Sequence, residues 1–147
     1  MKKLIFCLLL AACGSHKTAP AGNAENEIIL ADEQFSLLSK QKGVQYAFLH
    51  YIDSAGALLR PNSYPIIGAD AWHHLQNQPD GNFTLTWQPQ YAAVAASADL
   101  GYTFGTYTLT PANTDSSSHG TYVTIWKKQT NGQWKFVLDS GNEGLGK

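Results

Sequence analysis

Apolar residues recur with two different periods along this chain, and the change of period divides it. Between Ala31 and Ile52 they fall at helical spacing; from Phe83 onward they alternate. The clearest alternation is His119–Glu143, HGTYVTIWKKQTNGQWKFVLDSGNE. Its two runs of β-branched and aromatic residues, TYVTIWKKQ and QWKFVLD, flank Asn131-Gly132. An Asn-Gly pair in that setting predicts a β-hairpin, because both central residues of a type I′ turn need φ > 0. A two-residue loop sets Lys128 opposite Lys135, Trp126 opposite Val137 and Thr124 opposite Asp139. Tyr122, Thr124, Trp126, Lys128, Lys135, Val137 and Asp139 then share one face. Val123, Ile125, Lys127, Trp134, Phe136 and Leu138 share the other. Both faces are largely apolar, so both are expected to be covered. The face with Asp139 is taken as the inner wall, and the Trp134–Phe136 face as the outer or dimer surface.

The other elements follow from the same patterns. Ala31–Lys42 predicts a helix with Leu30, Phe35, Leu37 and Leu38 as its apolar side. Asp32 and Glu33 early, and Lys40 and Lys42 late, suit the helix dipole. Gly43 ends or bends it. Val44–Ile52 continues as a second helical run, with Val44, Ala47, Phe48 and Tyr51 in one stripe and Tyr46, His50 and Asp53 beside it. Asp53-Ser54-Ala55-Gly56 is turn chemistry. Ala57–Leu59 and Tyr64–Ile67 predict short strands, and Ala69–Asn77 a short helix. Phe83–Ser97, Leu100–Pro111 and the hairpin predict four antiparallel strands, with a bulge or edge position at Pro89. Helices followed by strands define an α+β fold, with N-terminal helices packed on a curved antiparallel sheet. A hollow between helices and sheet is the default place for a ligand.

The N-terminus changes the picture. Met1-Lys2-Lys3, the apolar run Leu4–Leu10 and Leu10-Ala11-Ala12-Cys13-Gly14 resemble the signal and lipobox of bacterial lipoproteins. That resemblance implies a signal peptide over residues 1–12 and acylation of Cys13. It implies a lipidated tether over 13–29, a folded domain over 30–143 and a tail over 144–147. The expected location is the cell envelope, and Gly14 after the cysteine points to the outer membrane, facing the periplasm. Cleavage would remove Cys7, leaving no thiol for a disulfide or a nucleophile. It would leave 8 basic against 11 acidic residues, a net charge of −3 with no basic patch, so nucleic acid is not an expected partner.

Several segments carry a second resemblance. They are Pro65-Ile66-Ile67-Gly68, Leu85-Thr86-Trp87-Gln88-Pro89, Asp99–Gly105 (DLGYTFG), Gly120–Gln129 (GTYVTIWKKQ) and Asn131–Lys135 (NGQWK). Together they resemble the nuclear transport factor 2-like superfamily, a cystatin-like α+β cone that includes SnoaL-like and ketosteroid isomerase-like proteins. The similarity is greatest to bacterial domains of the domain-of-unknown-function 4440 type. The resemblance implies a cone-shaped cavity and dimerisation through the sheet. It does not imply one activity, because folds host many chemistries.

Within that expectation, Asp139 is the sharpest polar candidate. The resemblance to ketosteroid isomerase-like proteins implies that a carboxylate on the cone wall can act as acid or base when an apolar site raises its pKa. The plainer reading is a strand-end aspartate bonded to backbone near Gly141. His50 and Asp53, three apart, form a candidate pair at the cone mouth; a helix-end histidine beside a turn aspartate is the plainer reading. Tyr46, Trp87, Tyr102, Tyr122 and Trp126 are candidate pocket aromatics, with Thr124 beside Asp139. His73-His74 has poor metal geometry, so neither a metal nor a cofactor is expected. No nucleotide fingerprint or serine-nucleophile motif is present. The leading expectation is a lipid-anchored protein that binds a small, largely apolar ligand without catalysis. The alternatives are an isomerase- or lyase-type enzyme using Asp139, and a dimeric envelope interaction module.

Overall fold

The computed structural model describes residues 21–79, 81–114 and 116–145. The expected signal peptide, the Cys13 lipidation site and the first part of the tether lie outside the described residues. In chain order the elements are α1 (Ala21–Lys42), α2 (Val44–Tyr51), β1 (Ile52–Leu59), β2 (Ile66–Ile67) and α3 (Ala69–Asn77). Then come β3 (Phe83–Val94), β4 (Leu100–Pro111), β5 (Ser118–Lys128) and β6 (Trp134–Glu143). The strands make one sheet in the order β2-β1-β6-β5-β4-β3. Strands β3 to β6 are antiparallel, as expected. Strand β1 runs parallel to β6, so the sheet is mixed. The architecture is α+β, with helices followed by a curved six-stranded sheet.

Helix α1 starts inside the segment expected to be tether. The reason is packing: Ala24 and Ile28 are buried, and Glu27 pairs with Lys128 at 2.5 Å and accepts from Trp134 Nε1 at 3.0 Å. The face that α1 buries overlaps the expected one only in part: Phe35 is buried and Leu38 packs against the core. Leu30 and Leu37 are 53% and 52% exposed, while Asp32, Phe35, Ser36 and Ser39 are buried. These four continue the stripe of Ala24 and Ile28 at helical spacing. The serines face inward because β3 is an edge strand with backbone groups to satisfy. Trp87 N donates to Ser36 Oγ at 2.8 Å, and Ser39 Oγ donates to Leu85 O at 2.8 Å. Gly43, at φ 91°, then breaks the helix and starts α2.

The hairpin forms where expected, but its turn is of another type. Gly132 sits at φ 85°, and Asn131 does not take positive φ. Gln129 N bonds Gln133 O at 2.7 Å, and Gly132 N bonds Gln129 O at 2.9 Å. This is a three-residue loop with one left-handed glycine. It shifts the pairing by one, so Lys128 faces Trp134 and Trp126 faces Phe136. A bulge at Val137 restores the expected register, and Thr124 does face Asp139. The two irregularities turn Trp134 and Phe136 onto the same covered face as Trp126, Thr124 and Asp139. Trp134 and Phe136 are therefore core residues, not the outer surface. Asp53–Gly56, expected as a turn, is instead an irregular stretch of β1 against β6.

Phe35 centres the core. Its ring lies 4.8 Å from Phe48, 4.6 Å from Trp87 and 5.6 Å from Phe136. Among the described residues nothing covers the opposite sheet face around β3 and β4. Tyr91, Tyr102 and Phe104 form an exposed ladder there, with Tyr91 and Phe104 stacked at 5.2 Å.

Candidate functional site

A cavity of about 270 Å³ lies between the helices and the inner sheet face. That is just below the usual range for small-molecule pockets, about 300–1,000 Å³. Helix α2 contributes Val44 and Phe48, and α3 contributes His74 and Leu75, with Gln78 just after it. The sheet contributes Leu85, Trp87, Tyr107, Leu109 and Tyr122, with Asp139, Ser140, Gly141 and Glu143 along β6. Arg60, just after β1, closes one side. The wall is mainly apolar, and two carboxylates bear on it: Asp139 in the wall and Asp32 behind it.

The first is Asp139. Arg60 Nη1 donates to its Oδ1 at 2.8 Å, and Thr124 Oγ1 donates to its Oδ2 at 3.1 Å. The guanidinium also lies 5.5 Å from the centroid of the Phe48 ring. Asp139 is thus tied by an ion pair and a hydroxyl, not by the backbone near Gly141. The carboxylate is 7% exposed and both its oxygens are engaged. A group held this way is a poor free base.

The second is Asp32, on the buried stripe of α1. Trp87 Nε1 donates to its Oδ1 and Tyr122 Oη to its Oδ2, each at 2.7 Å. Asp32 is fully buried, and no cation pairs with it among the described residues. Burial pushes its pKa up to about 6, against the lowering effect of bonds from Tyr122, Thr103 and Trp87, with the charge of Asp139 adding a smaller rise. Burial, and then the charge of Asp32, push the Tyr122 phenol above its ordinary value. At neutral pH an ionised Asp32 therefore fixes Tyr122 as donor to itself. The phenol oxygen keeps its acceptor capacity.

Of the residues singled out from sequence, Trp87, Tyr122 and Asp139 meet at the cavity, with Thr124 behind Asp139. Trp126 is in the core, fully buried, its indole donating to Thr103 Oγ1 at 2.9 Å. Tyr46 and His50 are not in the cavity. Helix α2 buries Ala47 and Phe48, which turns Tyr46 and His50 outward, where their rings stack 6.5 Å apart. Tyr102 is on the open sheet face, 41% exposed. The His50–Asp53 pair does not form, since Asp53 accepts from Ala55 N at 2.8 Å and Gln129 Nε2 at 2.9 Å. His74 Nε2 lies 2.9 Å from Gln78 Nε2. Among the described residues no group of three His, Cys, Asp or Glu side chains is placed to hold a metal.

Sequence reasoning missed Asp32 and Arg60. Asp32 was assigned to the helix dipole because Leu30 and Leu37 looked like the apolar face. The signal for it was the spacing Ala24, Ile28, Phe35, Ser36, Ser39, which places Asp32 on that stripe. Arg60 had no local signal, since its partner lies across the sheet in β6.

No protein-family model matches the sequence, and no curated protein is similar to it. Solved structures do share its fold, which is cystatin-like and nuclear transport factor 2-like. One is a ketosteroid isomerase-like protein from Erwinia carotovora atroseptica, 15% identical, with a TM-score of 0.61 over 79% of this chain and 93% of that one. A nuclear transport factor 2-like protein of unknown function from Pseudomonas putida is 13% identical, with a TM-score of 0.67 over 82% and 87%. A third, from Novosphingobium aromaticivorans, described as having a cystatin-like fold, is 12% identical, with a TM-score of 0.63 over 85% and 83%. At these identities the likeness concerns the fold alone.

Proposed function

We propose that this chain is a lipoprotein domain, of the domain-of-unknown-function 4440 type, that binds a small and largely apolar ligand in its cavity without catalysis. The supporting observation is the pairing of an apolar hollow with a carboxylate that is already engaged. Leu75, Leu85, Trp87, Leu109 and Tyr122 surround space, while Asp139 is held by Arg60 and Thr124. The lipobox-like Leu10-Ala11-Ala12-Cys13-Gly14 supports acylation at Cys13 and an envelope location, with the domain held at the outer membrane and facing the periplasm. Filling the hollow tests the reading. Leu109→Trp should abolish uptake of small apolar fragments, followed by the methyl NMR signals of Leu75 and Leu85, and leave the fold intact. Unchanged uptake would remove the cavity as the site.

A second reading has its own support. The exposed Tyr91–Phe104–Tyr102 ladder is a patch of the kind that docks a partner, and a second copy of this chain is the proposed one. Sedimentation of wild type against Phe104→Thr tests it: loss of a dimer supports the reading, and a monomer in both removes it.

A further inference from the structure

The charge and ring chemistry of the cavity narrow the ligand class further, and this inference rests on the cavity being a ligand site. Phe48, Trp87, Tyr107 and Tyr122 all line it. Two of these rings are polarised from behind by one anion, because Trp87 and Tyr122 both donate to Asp32. Donation to an anion enriches the ring faces in electron density, the property that attracts cations. The wall already shows this chemistry once, with the Arg60 guanidinium set over Phe48.

The charges agree. Arg60 and Asp139 neutralise each other at 2.8 Å. Glu143 remains at the rim, exposed, and Asp32 remains behind the aromatic wall. Among the described residues neither lysine nor a second arginine lines the hollow, and His74 is its one histidine. A carboxylate ligand would face uncompensated negative charge, and a neutral one would gain nothing from it. Anionic surroundings with aromatic walls suit a cation that is large, weakly hydrated and apolar on its surface. An alkylated ammonium meets all three requirements, whereas a bare metal ion would lose too much hydration.

We propose that the cavity selects small organic cations of the alkylated-ammonium type over neutral or anionic molecules of the same shape. The test compares choline with 3,3-dimethylbutan-1-ol, which replaces the charged nitrogen by carbon and keeps the shape. Binding is read by calorimetry and by methyl NMR of Leu75, Leu85 and Leu109, at pH 7.5 and low salt. Choline should bind at least about tenfold more tightly, the equivalent of one desolvated cation–π contact. Glu143→Gln, at an exposed position that packing does not depend on, should weaken choline roughly threefold and leave the alcohol unchanged. Asp32→Asn should erase the preference where that variant folds. Equal or tighter binding of the alcohol, with the same methyl shifts, would overturn the cation preference and leave the ligand site standing. Absence of shifts with both compounds would overturn both readings.

Discussion

Two carboxylates stand on opposite sides of this interior, and they are kept in opposite ways. Asp139, on the sheet side, has a cation at 2.8 Å and a threonine hydroxyl. Asp32, on the helix side, is more deeply buried and has only neutral donors. Buried charge costs several kcal/mol unless it is paired, and otherwise the group neutralises itself. The contrast shows up where theory places it: burial raises Asp32 to about 6. One acid is therefore matched by a cation, and the other, raised by burial, changes state near pH 6. The difference comes from Arg60, a residue whose position in the chain gives no hint of its partner.

The comparison breaks most clearly with pH. The folded state holds the Asp32 proton up to about pH 6, while the unfolded chain releases it near 3.9. Between those values the folded state binds more protons, so stability from this group is fully present below about pH 4 and lost as pH rises through 6. A two-unit rise corresponds to about 3 kcal/mol. Urea titrations at pH 4 to 7 should show wild type losing about that much relative to Asp32→Asn. A flat difference would mean that Asp32 is not the titrating group.

Removing the counter-ion should make Asp139 behave more like Asp32. Arg60→Met leaves a buried carboxylate without its cation and should cost about 2 kcal/mol at pH 7, below the full buried-pair value because Arg60 is partly exposed. The midpoint of urea unfolding reads this. Trp87→Phe removes one of the two short donors to Asp32 and should cost about 1.5 kcal/mol. It should also move the Asp32 midpoint further up, since that donation lowers it. The smallest effect belongs to the open sheet face. Phe104→Thr should change monomer stability by no more than about 0.5 kcal/mol, because the ring is already exposed.

Much of the fold was legible. Strict alternation gave β4 its bounds, and the run Ala69–Asn77 gave α3. The Asn-Gly pair located the hairpin and correctly set Thr124 against Asp139. It did not give the faces near the turn, because a three-residue loop and a bulge at Val137 are two opposite one-residue shifts that cancel farther along. Helix α1 misled for another reason. Its buried side is half polar because two serines serve the β3 edge, so hydrophobicity found Phe35 and Leu38 but added the exposed Leu30 and Leu37. Asp32 was lost with it. At the site, strand alternation found Trp87, Tyr122 and Asp139 but misplaced Tyr102, because alternation separates the two faces without saying which is inner. Tyr46 and His50 were misplaced because adjacent helical stripes differ by little more than a quarter turn.

The central claim is that the hollow between these two acids receives a ligand. Methyl NMR during titration with small apolar and alkylammonium fragments tests it most directly, because the leucines report from both sides of the molecule. The account predicts shifts at Leu75, Leu85 and Leu109, and none at exposed Leu30 and Leu37. Shifts confined to Leu30 and Leu37, or none at the cavity leucines, would contradict it.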